Sequence, residues 1–425
     1  MLQEKIQSLF DQRRSEIYDW LAHLEDQEKP PLYSSVDIRN AGFKMAVVDT
    51  NLFPAGFNNL CHLAVQDGST ILKEAILSRA PRSKRVLILT EEHTRNRWYF
   101  ENIFVLLTML KSAGFDVYTA SFCDETFDET GFKFVETEKK NQFKLYCYDY
   151  ILSKLHQEND AVDFVLLNND LSKGVPKALQ TLNTQIYPPL YAGWHSRSKH
   201  HHFEEANHLL EQFARLLDCD PWYFQCIHDV VDQVNINNQS DRERLADSAS
   251  RVFEKIKEKY AQYGLKEKPF IFIKSDFGTY GMGVLPVESP DDILQLNRKA
   301  RNRLYKGKHA QVNDRFLIQE GVPTIHHIDN KVSEACIYQI SNQFIGGFYR
   351  LNEIKSVREN LNSQGMTFQK MCDVSDRCVL KSSPSVEDCG IELDSNLTLY
   401  RILARLAGIA AQRELNSLKE QVKTK

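Results

Sequence analysis

The chain predicts an α/β region followed by an α+β region, on three observations. Short apolar runs alternate with amphipathic helical stretches in the N-terminal part. From residue 266 the texture changes to paired strands with single helices between them. Between two of those strands, "PFIFIKSDFGTYGMGVLPV" (269–287) packs three glycines into six residues just past Lys274. The 425-residue chain has only 18 glycines, below the usual share of about 7%, so this cluster marks a place that needs bare backbone.

Taken in order, Leu2, Ile6, Leu9, Phe10, Ile17, Trp20, Leu21 and Leu24 form one apolar helical stripe. "EKPPLYSS" breaks it. Within 36–60, "KMAVVD" reads as a short buried strand that empties into an Asn-rich loop containing Gly and Pro. "RVLILT" (85–90), the helical "RNRWYFENIFVLLTMLKSAG" and "FDVYTASF" form strand, helix, strand. Such a parallel unit places residues 91–96 at the strand's carboxyl end and the helix's amino end. "DFVLLNND" (163–170) is a further buried strand, and 203–263 reads as mostly helical, stopping at Gly264. In the second half, "PFIFIK" and "GVLPV" are strands joined by the glycine loop. "SPDDILQLNRKARNRL" is a Ser-capped helix, "RFLIQEGVP" a strand running into a linker, "EACIYQISNQFIGGFYRLN" a hairpin and "NLTLYRILARLAGIAAQREL" a long terminal helix. The division predicts three regions: an N-terminal α/β substrate-binding region (1–160), a central α/β and helical region (161–265), and a nucleotide-binding and catalytic region (266–425).

Hydrophobic content of 42%, charged content of 26% and a mean hydropathy of −0.43 describe an ordinary globular chain. A net charge of −4 carries no nucleic-acid footprint. The nine cysteines (61, 123, 147, 219, 226, 336, 372, 378 and 389) are odd in number and lack a C-x-x-C pair. They read as reduced thiols. The first residues lack the apolar core of a signal peptide, and no run approaches the roughly 18 apolar residues of a membrane span. The expectation is a cytoplasmic protein acting on small molecules, with neither a membrane nor a nucleic-acid partner; a homo-oligomer is left open.

Backbone N–H groups reach phosphate oxygens closely only where no Cβ intervenes. Gly278, Thr279, Gly281 and Gly283 would thus cover a triphosphate that Lys274 neutralises from the other side. The loop is not G-x-x-x-x-G-K-[ST], and a strand rather than a helix follows it. On these residues alone, a plain glycine-rich hairpin is the competing reading. The downstream order narrows it. Gln319-Glu320-Gly321-Val322-Pro323 ends a strand, where a hinge would present amides to adenine and a carboxylate to ribose. Glu334 follows on the first strand of the hairpin, Arg350 near the end of the second, and then "VRENLNSQG" (357–365) with Arg358, Asn360 and Asn362. This series resembles that of ATP-grasp enzymes, above all the RimK-like and bacterial glutathione synthetase branch, whose last element is R-x-N-L-x-x-G-G. The resemblance implies an ATP-grasp fold behind an N-terminal α/β substrate domain, with ATP and Mg²⁺ as cofactors. It makes Arg350, Arg358 and Asn360 catalytic. Arginines and a lysine converging on a γ-phosphate supply charge stabilisation for phosphoryl transfer, and planar guanidinium groups match phosphate bidentately. Mg²⁺ wants oxygen ligands. The branch's C-terminal E-x-N metal pair has no counterpart after residue 365, which leaves Glu334, Asn360 and Asn362 as metal candidates.

Substrate contacts are sought in the N-terminal loops. Asp37 and Arg39 are two apart on an extended segment and so face one side. Lys44, Asp49, Asn51, Asn58 and Asn59 follow at strand ends. An amino-acid zwitterion needs both signs of charge, while surface ion pairs and turn-forming Asn account for the same residues. In "GWHSRSKHHHF" (193–203) three adjacent histidines point different ways and lack the spaced second pair of a zinc site. Arg197 and Lys199 read there as anion contacts, or as a solvated basic turn. Related grasp enzymes carry a first ATP lysine ahead of the glycine loop, which Lys199 matches. Thr94, Arg95 and Asn96 begin a helix and suit either a carboxylate or an ordinary N-cap.

"DIRNAGFKMAVVDTNLFPAGFNNL", "LLNNDLSKGVP", "GWHSRSKHHHF" with "DPWYF", "IKSDFGTYGMGV" and "GGFYRLN…ENLNSQGM" together resemble the proteobacterial-type glutamate–cysteine ligase family, a group that carries the ATP-grasp fold. The resemblance implies ATP-dependent joining of the glutamate γ-carboxylate to the cysteine amine through an acyl phosphate, the first step of glutathione synthesis. No protein nucleophile is needed, so none of the nine cysteines is expected to be catalytic. Two alternatives stand beside it: a grasp-fold ligase for another amino-acid or peptide pair, and a nucleotide-binding module without chemistry. Intact Lys274, Glu334, Arg350, Arg358 and Asn360 speak against the second.

Overall fold

The computed structural model describes residues 2–92, 95–122, 124, 126–277, 283–305, 314–372, 391–392 and 396–423. It is a mixed α/β structure whose strands lie in three sheets. One sheet takes its strands from both ends of the chain. Its order is Ile391–Glu392, Met366–Cys372, Gln343–Asn352, Lys331–Ile340, Tyr33–Asn40 and Met45–Asn51, with the short His327–Ile328 beside Lys331–Ile340. The hairpin at 33–51 therefore shares a sheet with 331–372, joining the first of the expected regions to the third.

The central hairpin, Lys331–Ile340 to Gln343–Asn352, closes through Ser341 and Asn342 at φ 47° and 61°. Positive φ at both central residues is the type I′ turn, whose twist matches the flanking strands. One face of this sheet is largely apolar, its buried Ser34, Asn40 and Gln339 being hydrogen-bonded among themselves or to the terminal helix. Val36, Ile38, Val47, Ala335, Ile337 and Leu351 pack on the helices Arg14–Gln27, Lys199–Leu216 and Leu397–Lys423. The other face is divided. Tyr33, Cys336, Tyr338, Ile340 and Phe348 sit against the helices His62–Leu77 and Arg97–Ser112. Farther along the same strands, alternation puts Asp37, Arg39, Glu334 and Arg350 on that face.

The second sheet has the order Phe132–Glu136, Gln142–Cys147, Asp116–Ser121, Arg85–Thr90, Phe164–Asn168 and Gln185–Tyr187. It is parallel apart from its first pair, and it contains the strand–helix–strand unit expected at 85–121. The third is antiparallel: Val284–Val287, Ile271–Ser275, Phe316–Glu320 and His228–Val231. The helix Gln239–Gln262 covers one of its faces. The glycine loop thus leaves one strand of this sheet and returns on its neighbour, with Lys274 opposite Val284.

Three expectations need correction. The N-terminal stripe is two helices, Leu2–Gln12 and Arg14–Gln27, parted at Arg13. The stretch 203–263 contains the strand His228–Val231 between its helices. Four residues are too few to show a period, and only their pairing with Phe316–Glu320 makes them a strand. Cys147 is disulfide-bonded, whereas Cys61, Cys219, Cys226 and Cys336 are free thiols. An odd count and a missing C-x-x-C motif say nothing of a pair formed between distant positions. No helix among the described residues is long and apolar enough to cross a membrane.

Gly408 lies in the terminal helix where a Cβ would collide with the amide of Asn342. That side chain is buried and donates to the Arg405 carbonyl at 3.1 Å. Gly408→Ala gains about 1 kcal/mol of helix propensity but overpacks a filled site at about 1–3 kcal/mol. Urea denaturation should show a net loss of stability.

Candidate active site

Between the charged end of the first sheet and the third sheet lies a cavity with about 650 Å³ of empty space, part of it open to solvent. The hairpin at 33–51 supplies Asp37, Arg39, Val48 and Asp49, and the central hairpin supplies Glu334. The third sheet brings Phe272, Lys274, Val284, Gln319 and Glu320, while Lys199, Asn360 and Asn362 close the rim. Ten of the residues singled out in the sequence are brought together here from across the chain.

Two charge clusters organise the cavity. In the first, Arg350 Nη1 donates to Asp37 Oδ2 at 2.7 Å and to Glu334 Oε1 at 2.6 Å, while Arg39 Nε donates to Glu334 Oε2 at 2.7 Å. Arg39 also donates to the carbonyls of Val322 (3.2 Å) and Glu359 (2.6 Å). Burial alone would raise the Glu334 carboxyl, but Arg39 and Arg350 hold it below the usual range. Asp37 goes the other way: burial pushes it up, Glu334 adds to the push, and Arg350 offsets only part. Burial also opposes the charge on Arg350, yet Asp37 and Glu334 keep its guanidinium firmly protonated.

In the second cluster, Lys199 Nζ lies 3.0 Å from Asp49 Oδ1, and Lys274 Nζ donates to the Val48 carbonyl at 2.9 Å. Burial would raise Asp49, but Lys199 and Lys274 bring it down to about 2. Burial draws Lys274 down to about 8, against the pull of Asp49 and with a push from Lys199. Two ammonium groups around one carboxylate leave an excess of positive charge, which suits an anion. On the facing strand, Gln319 Nε2 is buried with no hydrogen-bond partner among the described residues.

Several expected contacts are committed to the frame, whether they line the cavity or stand behind it. Glu320 has both oxygens engaged, by Trp222 Nε1 (3.0 Å), the Ile227 N–H (3.0 Å) and Lys44 Nζ (2.9 Å). It locks the hinge instead of offering a carboxylate to ribose. Lys44 is fully buried there, donating also to the Gln225 carbonyl and lying 4.4 Å over the Trp222 ring, so it is not placed to touch a substrate. Val322 contributes through its carbonyl, which Arg39 holds. Arg358 points away from the cavity. It donates to the Lys268 carbonyl at 2.7 Å, stacks over Phe270 and pairs with Glu288.

Arg197 is 1% exposed and donates to Glu414 at 2.7 Å, which makes it a buried tie to the terminal helix rather than an anion contact. Asn51 folds its amide onto Phe53, and Asn58 donates to Asn59, both as turn residues. His202 is buried against Thr50 Oγ1 at 2.9 Å, and burial with nearby Arg197 drives it down to about 3, a neutral ring. Asn96 caps its helix through Trp98 and Tyr99. Asn360 Oδ1 accepts the Asn362 N–H at 3.0 Å. Gly283 has φ +69° at the end of the glycine loop. Gly278, Thr279, Gly281 and Thr94 lie outside the described residues. Among the described residues no group of three His, Cys, Asp or Glu side chains is arranged to hold a metal ion.

Val48, Phe272 and Val284 escaped the sequence reading. Phe272 stands two residues before Lys274 on one strand, and Val284 is paired opposite Lys274. Period-two alternation from Lys274 was the signal for Phe272.

The model of the glutamate-cysteine ligase family (GshA) matches residues 7–415 of this chain. The chain belongs to the glutamate-cysteine ligase family. It is accordingly an ATP-dependent ligase of glutamate and cysteine. The structure is similar to that of a protein provisionally named gamma-glutamylcysteine synthetase from Methylobacillus flagellatus KT, at 33% identity over 98% of this chain and 96% of that one, with a TM-score of 0.83. A glutathione synthetase-like effector from Globodera pallida aligns at 10% identity over 82% of each chain (TM-score 0.36). D-alanyl-alanine synthetase A from Vibrio cholerae aligns at 11% over 64% of this chain and 67% of that one (TM-score 0.31). Those two likenesses are too slight to build on. No curated protein matches the chain.

The Lys44–Glu320 pair sits under the cavity with no access to water. Lys44→Ala leaves a buried carboxylate uncompensated, which costs about 3–5 kcal/mol. The unfolding midpoint in urea should fall accordingly.

Proposed function

We propose that this ligase has the ATP-grasp fold and binds ATP with Mg²⁺ between the third sheet and the charged end of the first, and that it works through a γ-glutamyl phosphate. The observation that carries the reading is the pair of buried ammonium groups, Lys199 and Lys274, in a cavity that Phe272, Val284 and Gln319 of the third sheet also line. Lys274 and Lys199 receive the phosphate oxygens, which replace Asp49 and the Val48 carbonyl as their partners. Phe272 and Val284 offer apolar surface to a base, and the unpartnered Gln319 amide supplies a donor beside it.

At the other end, Asp37 on the cavity wall and its partner Arg350, which is not among the lining side chains, give the anion and the cation that an amino-acid substrate needs. Arg350, held by two carboxylates, keeps Nε without a partner among the described residues. A γ-carboxylate oxygen of glutamate attacks the γ-phosphorus and ADP leaves. The cysteine amine then attacks the acyl carbon, loses a proton, and phosphate departs with the bonding pair. Stabilising the charge that develops on the transferring group is where fixed cations are most effective. The two thiols beside the charge clusters take no part: burial pushes Cys226 up to about 12 and raises Cys336 as well.

Of the oxygen donors at the cavity, Glu334 has both oxygens on guanidinium groups, so its expected metal role is weakened. Asp49 and the amide oxygens of Asn360 and Asn362 fit a hard, oxygen-seeking Mg²⁺. When bound, that ion would neutralise phosphate charge and polarise the γ-phosphoryl group.

Purified protein with ATP and Mg²⁺ should release phosphate when glutamate and cysteine are supplied together, with γ-glutamylcysteine formed; release with another pair alone would reassign the substrates. Lys274→Ala should lower kcat/KM by roughly 100-fold or more, the scale of losing a fixed charge at a transferring group. The ammonium of Lys274 discharges as pH rises through about 8. Because the anion binds the charged form, ATP affinity should fall above that pH, until the higher pKa of the bound state takes over. Calorimetric titration of the free enzyme between pH 7 and about 9.5 checks the sign; rising affinity would overturn the placement.

A further inference from the structure

The helix Lys199–Leu216 starts with a cavity residue, so whatever holds that helix end also sets where the Lys199 ammonium lies. Two buried carboxylates hold it. Asp276 is two residues past Lys274, just before the glycine loop, and is fully buried. Its Oδ1 accepts the His200 N–H at 2.7 Å, its Oδ2 accepts the Ser198 hydroxyl at 2.7 Å, and its carbonyl accepts the Lys199 N–H at 3.1 Å. Ser198 Oγ in turn accepts the His201 N–H at 3.2 Å. From the opposite side Glu414, fully buried on the terminal helix, takes the Arg197 guanidinium at 2.7 Å and the Ser198 N–H at 3.3 Å.

A carboxylate at a helix amino end is favoured by the dipole and by the unsatisfied N–H groups there. What is unusual is its origin. Asp276 directly follows the strand of the third sheet that carries Lys274 and is not part of the helix it caps. It is anchored on that side too, by donating its N–H to the Arg315 carbonyl at 3.0 Å and by the Arg315 guanidinium at 3.3 Å. The same backbone segment therefore carries one ATP-cavity lysine and holds the element that carries the other.

We propose that Asp276 is a positioning residue for nucleotide: it locks the start of the Lys199 helix to the Lys274 strand, so that both ammonium groups meet the phosphates as one preset pair. The proposal rests on reading the cavity as the ATP site. Asp276 itself need not touch ATP, because its carboxylate oxygens are spent on Ser198, His200 and Arg315.

The test is ATP affinity in full-length protein, by calorimetry and as KM, for Asp276→Asn, Lys199→Ala and the double variant, with Ser198→Ala as a milder change. Asp276→Asn should weaken ATP by about tenfold, the scale of one charge-assisted hydrogen bond, with the KM values for glutamate and cysteine changed less than about twofold. Because Asp276 acts through Lys199, adding Asp276→Asn to Lys199→Ala should cost less than about twofold more. A folded Asp276→Asn that binds ATP normally overturns the proposal, as does a double variant whose losses multiply. Should Asp276→Asn fail to fold, Ser198→Ala decides: a weaker, Lys199-dependent ATP affinity supports the latch, and an unchanged one overturns it. Failure of the ligase reading would show separately, as wild-type protein that binds ATP yet forms no γ-glutamylcysteine.

Discussion

Four alternating charges, Asp37, Arg350, Glu334 and Arg39, lie in a buried chain on one face of a sheet whose strands come from opposite ends of the polypeptide. Removing one member of such a buried set strands the others without solvent, which is far costlier than the set is stabilising. The chain of charges therefore acts less as glue than as a register. A one-residue slip of Tyr33–Asn40 against Lys331–Ile340 would turn Asp37 and Arg39 into the apolar helix layer and bring Val36 and Ile38 into the cavity. Only one alignment satisfies both faces, and that alignment builds the site.

The division of this sheet face explains where the cavity can be. Where Tyr338 and Phe348 continue the pattern, the face is covered by helices and dry. Where the same strands switch to carboxylates and guanidiniums, no helix can pack without leaving charges unpaired, and the third sheet stands off across a gap. The gap is bounded by Lys274 and Phe272 on one wall and by Asp49 on the other. Its floor is tied by Lys44 and Glu320, whose saturation with hydrogen bonds keeps the hinge strand Phe316–Glu320 from shifting. A charged cleft of this kind has its cations already in place, so that little reorganisation would remain if an anion reacted there.

The roles of individual residues separate by how many partners they have already found. Lys199 and Lys274 hold weakly committed contacts, a cavity carboxylate and one carbonyl, that a phosphate can replace. Lys44 and Glu320 are fully engaged in dry surroundings, and Arg197 is tied to Glu414; all three serve the frame. In sequence these two kinds look alike, because a lysine beside polar residues carries no mark of who its partner will be. The three histidines after Lys199 show the same point. His202 is a neutral packing group against Thr50, and His200 lends its backbone N–H to Asp276.

The amino-acid sequence by itself determined the local pieces: the strand–glycine loop–strand, the parallel unit at 85–121, the central hairpin and the terminal helix. Each follows from period, turn chemistry or glycine spacing within about 20 residues, which is the range over which backbone propensity acts. Motif order likewise pointed to the ligase family, through several whole strings that resemble it. Tertiary structure alone decided that 33–51 pairs with 331–340, that a four-residue strand at His228–Val231 completes the third sheet, and that Arg358 turns outward while Arg39 turns in. Those choices are made by pairings across hundreds of residues, such as Arg39 with Glu334. Their energy lies in burial and charge compensation, which no local pattern encodes.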